Sequence, residues 1–150
     1  HKFNNYFMND IFLLNSCIGY EPVFSNKGIS FHITEITNVN NDNISKQIIK
    51  SLKPYTINNN KNKILLQIKS QKIESVISRD AKGDPLLHEI RIKSEVKIED
   101  ENGKKVLKFN EFFNFNNQTN KFEFSQYKKN IEKNLANRVF EKLILELQKI

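Results

Sequence analysis

In the run Leu86-Leu-His-Glu-Ile90-Arg-Ile92-Lys-Ser-Glu-Val96-Lys-Ile98, the residues Leu86, Ile90, Ile92, Val96 and Ile98 share one parity, with charged residues between them. A period of two sends alternate side chains to opposite faces of a strand, so this stretch reads as a β-strand with one buried face. On its C-terminal side, Asp100-Glu-Asn-Gly-Lys104 holds an Asn-Gly dipeptide, the residue pair that a tight hairpin turn favours. Leu107, Phe109, Phe113 and Phe115 then resume a single parity. On its N-terminal side, Asp80-Ala-Lys-Gly-Asp-Pro85 is a turn by composition. Before it, Ile64, Leu66 and Ile68 mark another strand within residues 63–78. The apolar phase of that strand slips by one to Ile73 and Ile77, which predicts a bulge at Ser70–Lys72. Three strands joined by short turns make an antiparallel meander.

The flanks complete the layout. Ile29, Phe31 and Ile33 alternate as a short strand, and the polar run Asn38–Asn43 offers Asp42 or Asn43 as a helix cap. Ile44, Ile48, Ile49 and Leu52 give the following helix one apolar face, and Pro54 ends it. Asn58–Lys63 reads as a polar loop of low complexity. Near the C-terminus, Ser125 is the expected cap of a helix in which Tyr127, Ile131, Leu135, Val139, Leu143 and Leu147 recur every fourth residue. That helix is expected to run for roughly 24 residues, about 36 Å. The expected fold is α+β, a two-layer sandwich with order β-α-β-β-β-α. The first strand joins the meander through a helical crossover to make a four-stranded mixed sheet. Each helix has a single apolar face, so both cover one side of that sheet.

A chain of 150 residues is long enough to bury one core, here expected over residues 29–150. Residues 1–16 and the Gly- and Pro-punctuated stretch 17–28 read as lying outside the fold. The chain opens on His1 rather than Met, so it reads either as a fragment or as a chain whose true start lies upstream. The formal charge is +7, from 24 Lys and Arg against 17 acidic residues. Asn, Lys, Ile and Phe are abundant while Ala, Gly and Pro are scarce, the bias that AT-rich codons produce. The lysine excess thus has two sources open to it, codon drift and an anionic partner. One cysteine excludes an internal disulfide, and no CxxC or Cys/His cluster suggests zinc.

Catalytic signatures are missing. There is no GxSxG, HExxH, P-loop or GxGxxG, so enzymatic activity is not expected, and no cofactor or metal is expected either. Asp80 and Asp84 read as a solvated loop, and Asp100-Glu101-Asn102-Gly103 lacks the distal glutamate of a calcium loop. His88 shares the parity of Leu86 and Ile90 and reads as a half-buried structural histidine. For nucleic acid, Phe109, Phe113 and Phe115 sit on the core parity, which leaves Phe112 with Lys108 as a weak stacking platform. No nucleic-acid partner is expected.

The lone cysteine closes the pattern Leu14-Asn15-Ser16-Cys17, an aliphatic residue three positions before and a small one directly before. That resembles the lipobox of bacterial lipoproteins, in which the signal peptide is removed and the cysteine takes lipid; the other reading is a buried free cysteine. With Cys17-Ile-Gly19-Tyr20-Glu-Pro22-Val23-Phe24, Glu99-Asp100 ahead of Gly103 and Val106, and Ala136-Asn-Arg138 in the last helix, the chain resembles the LPS-assembly lipoprotein family, LptE-type, in its alphaproteobacterial form. The family's Cys-Gly opening is interrupted here by Ile18.

The resemblance implies that residues 1–16 are a signal-peptide remnant and that residues 17–28 are a tether acylated (palmitate) at Cys17. It also implies an outer-membrane location on the periplasmic face, anchored in the inner leaflet. The implied partners are a β-barrel LPS translocon (LptD-type) and lipopolysaccharide. For lipid A phosphates the expected contacts are the turn and strand-end cations Arg79, Lys82, Lys104 and Lys105. Two other readings stay open: a lipid-anchored adaptor without glycolipid, and a basic nucleic-acid-binding domain.

Overall fold

The computed structural model describes residues 28–150. The segments read as signal remnant and tether, with Cys17, lie outside the described residues. Chain order is β1 (His32–Asn38), α1 (Asn43–Leu52), a 3-10 turn (Lys53–Thr56), β2 (Lys63–Arg79), β3 (Pro85–Asp100), β4 (Gly103–Asn116) and α2 (Lys121–Leu147). The sheet has four strands in the order β1-β2-β3-β4, with β1 parallel to β2 and the rest antiparallel. The expected α+β layout is the observed one.

The core lies between the sheet and the helices. Ile64, Leu66 and Ile68 of β2 and Ile90, Ile92, Val96 and Ile98 of β3 are buried. They meet Ile44, Ile48 and Leu52 of α1 and Ile131, Leu135, Val139, Leu143 and Leu147 of α2, also buried. Asp42 caps α1, its Oδ1 accepting from Ser45 N at 2.7 Å. Its Oδ2 accepts from Ser70 N at 3.1 Å, a donor that β1 does not reach because pairing ends at Asn38 opposite Ile68. Tyr55, in the 3-10 turn that carries Pro54, stacks on Phe31 and meets Phe140 with its ring tilted.

Four sequence expectations differ from the structure. The first strand begins at His32 and runs on to Asn38, with a bulge between Ile33 and Glu35 that turns Ile36 back toward the core. Residues 29–31 are instead held by asparagine side chains of the loop 58–62, so that loop is a structural element rather than filler. No bulge occurs at Ser70–Lys72; the β2–β3 register is unbroken from Leu65 to Val76 and shifts only between Val76 and Arg79. Ser70 keeps the inward parity by sharing a buried hydroxyl chain with Ser45 (2.9 Å) and Ser94 (2.7 Å). Beyond it, the inward positions Lys72 and Glu74 are charged because they face Glu132 and Lys128 of α2. Finally, α2 starts four residues earlier than Ser125: its cap is Asn120, whose side chain accepts from Glu123 N at 3.0 Å.

Candidate functional site

The helices cover one side of the sheet, and no element among the described residues covers the other. Its chemistry follows from the two hairpin turns. Asp100 pairs with Gly103, and that register carried down the hairpin sets Glu95 beside Lys108 and Lys93 beside Asn110. Arg79 pairs with Pro85, and the two irregularities near the turn cancel, so Lys69 falls beside Glu95 and Gln71 beside Lys93. Two adjacent rows thus cross the middle of the sheet, Lys69-Glu95-Lys108 and Gln71-Lys93-Asn110. With strands spaced about 4.8 Å apart, the three lysines lie on the order of 10 Å from one another.

These rows line a basin of about 610 Å³, with Asn40 at its border. Lys69 Nζ lies 3.7 Å from Glu95 Oε2, while Lys93 and Lys108 make no ion pair among the described residues. The basin therefore keeps two uncompensated cations and amide donors from Gln71 and Asn110, a set suited to holding an anion. Toward the β2–β3 turn the open face closes up. Arg91 Nε donates to Glu89 Oε1 and its Nη1 to Asn110 Oδ1, both at 2.9 Å, and its guanidinium sits 4.6 Å from the centre of the Phe112 ring. One ring face of the expected stacking platform is already occupied by that cation.

The four cations expected from sequence do not come together. Arg79 and Lys82 stand at the β2–β3 turn and Lys104 and Lys105 at the β3–β4 turn, opposite ends of strands well over a dozen residues long. Arg79 Nη1 donates to the Gly83 carbonyl at 2.9 Å and stiffens its own turn. Lys104 and Lys105 both line a recess with Lys97, Glu35 and Glu99, so this pair does meet, with two carboxylates beside it. Lys105 has the opposite parity and turns toward the helix side of the sheet. Of the basin lysines only Lys108 stands out in the sequence, beside Phe112; Lys69 and Lys93 are single charges in alternating strands and join it only through register. The signal was present, since the turn positions alone give both registers.

The remaining candidates are structural. Asp80 Oδ1 accepts from Lys82 N and Asp84 N, both at 2.9 Å, and Asp100 Oδ1 accepts from Asn102 N at 2.8 Å. His88 stacks on Phe115, packs beside Phe124, and bonds through Nε2 to Asn117 Oδ1 at 2.9 Å. His32 Nε2 donates to the Thr56 carbonyl at 3.0 Å. Among the described residues no group of three His, Cys, Asp or Glu could hold a metal ion, and no helix is long and apolar enough to cross a membrane.

By sequence, no protein-family model matches this chain, and no curated protein does. By structure it is similar to rare lipoprotein B from Shewanella oneidensis, with a TM-score of 0.60 at 10% identity over 77% of this chain and 90% of that one. A minor lipoprotein from Acinetobacter baumannii gives a TM-score of 0.58 at 11% identity, over 80% and 91% of the two chains. Lipoprotein B from Nitrosomonas europaea, solved by NMR, gives 0.59 at 12% identity, over 84% and 88%. The described domain therefore has the fold of these small bacterial lipoproteins.

Proposed function

We propose that this chain is a lipid-anchored outer-membrane protein that partners a β-barrel translocon in lipopolysaccharide assembly, binding without covalent chemistry. The observation that carries the reading is the fold it shares with lipoproteins of three bacteria, matched over about nine-tenths of each of their chains. Two further features support it. Leu14-Asn15-Ser16-Cys17 has the spacing of a lipidation signal ahead of the domain. The open sheet face carries the unpaired Lys93 and Lys108, which are suited to phosphate groups such as those of lipid A.

Mass spectrometry of the protein isolated from membranes tests the anchor, and pull-down from solubilised outer membrane tests the partner. Acylated Cys17 and co-isolation of a barrel protein are the expected results. An unmodified Cys17 in a cytosolic fraction would overturn the proposal, and an acylated chain that captures no barrel reduces it to an adaptor. For the glycolipid, the double variant Lys93→Glu/Lys108→Glu is expected to weaken lipopolysaccharide binding more than Arg79→Glu/Lys82→Glu or Lys104→Glu/Lys105→Glu. If a turn pair matters more, the basin is not the contact.

A further inference from the structure

β4 is an edge strand, with no further strand beside it among the described residues. Hydrogen-bonding direction alternates along an antiparallel strand, and the Asn117 N–H donating to the Leu86 carbonyl at 2.9 Å sets the phase. The odd-numbered residues from Lys105 to Phe115 therefore bond toward β3. Val106, Lys108, Asn110, Phe112 and Asn114 present their N–H and C=O groups outward. Lys104, Lys105 and Lys108 sit on the first half of this edge, where lysine discourages indiscriminate strand pairing. The second half, from Phe109 to Asn116, carries no cation.

Beside that second half, α2 forms the far wall of a groove of about 130 Å³. Phe113 and Tyr127 line it, with relative exposures of 38% and 37%, over the buried Ile131. Asn130, Asn134 and Arg138 follow one another along the helix rim. Arg138 makes no ion pair among the described residues. A strand edge with outward backbone groups, next to a groove between that strand and a helix, is the arrangement by which a sheet accepts an added strand.

We propose that the β4 edge and the α2 groove together receive an extended acidic segment of a partner protein as a fifth strand of the sheet. Its backbone would bond to the outward groups of Asn110, Phe112 and Asn114. Alternate apolar side chains would cover Phe113 and Tyr127, and a carboxylate would meet Arg138. Charge selects this occupant, because Lys104, Lys105 and Lys108 lie along the same edge. A second copy would bring its own lysines, and its only β4 carboxylate, Glu111, is already in an ion pair with Lys142. An acyl chain would leave the outward N–H groups unmet. The inference does not depend on glycolipid handling.

The test uses the full 150-residue chain and a synthetic peptide of about ten residues with valines and one glutamate on one parity and glutamates on the other, and the same peptide with lysine in place of glutamate as control. Amide hydrogen exchange, read by NMR, is expected to slow at Asn110, Phe112 and Asn114 with the acidic peptide alone. Asn114→Pro removes one outward donor and leaves the β3 bonds intact. Arg138→Glu reverses an exposed charge on the helix, away from the core. Each variant is expected to weaken binding about tenfold. Equal binding of the lysine peptide, or no protection at those three amides, overturns the proposal. Concentration-dependent protection without peptide also overturns it, because a second copy would then hold the edge.

Discussion

Asn58, Asn60 and Asn62 donate through Nδ2 to the carbonyls of Phe31, Ile29 and Ser30 at 3.1, 3.2 and 3.3 Å. They do for residues 29–31 what a neighbouring strand would do, satisfying the backbone before β1 begins. Asn60 also accepts from Asn62 N at 2.9 Å, so it works at both ends, while the adjacent Asn59 is exposed. Three consecutive asparagines are thus chemically unequal. Asn60→Ala is expected to cost about 1–3 kcal/mol, whereas Asn59→Ala should stay within about 0.5 kcal/mol. Denaturant midpoints of the two variants check this, and equal midpoints would show that the loop carries no specific role. The same scale explains why the loop read as low complexity: composition does not reveal which amide reaches a carbonyl some thirty residues away.

At the scale of elements, α2 is held at its start by Asn120 rather than by Ser125. Asn120→Ala is expected to lower stability by about 1 kcal/mol while Ser125→Ala changes it little, as thermal unfolding can measure. A larger loss from Ser125→Ala would return the cap to the sequence-based position. The error has a physical source. The four-residue apolar repeat starts at Tyr127, yet Phe124, one turn earlier, packs in an aromatic cluster with His88 and Phe115, which lengthens the helix. Strand order, the meander and the buried parity of β3 were legible because a period of two is strong over a long strand. The false bulge in β2 arose because inward positions past Ile68 are Ser70, Lys72 and Glu74, polar yet matched to Ser94, Glu132 and Lys128. Hydrophobic pattern alone treats such positions as outward. The basin was legible in principle from the two turns, but only once register was carried along both hairpins.

For the whole molecule, two groups weaken the fold at alkaline pH. Burial pushes the Tyr55 hydroxyl above its ordinary value of 10.0. Burial pulls the Lys72 ammonium down, but bonding and attraction from Glu132 and Glu74 outweigh it, so the net shift is upward from 10.5. Both groups hold their proton more tightly folded than unfolded. Their contribution is complete below the unfolded values and is lost as pH rises through the folded ones. Unfolding temperature should therefore fall above about pH 10, and Tyr55→Phe should flatten that fall. An unchanged slope in the variant, followed by circular dichroism, would remove Tyr55 from the account.

Ser30 is bound to the last turn of the chain, its N–H and Oγ both reaching Gln148 Oε1 at 3.2 and 3.1 Å. If a tether pulls on the domain, it therefore pulls beside the C-terminal end of the longest helix. Stretching between residues 28 and 150 would load these few bonds one after another and peel the domain open at low force. Stretching between residue 28 and the tip at Lys82 would instead set β1 and β2 sliding past each other as parallel neighbours, all their bonds sharing the load. Single-molecule pulling in the two geometries should give clearly different rupture forces, the second the higher.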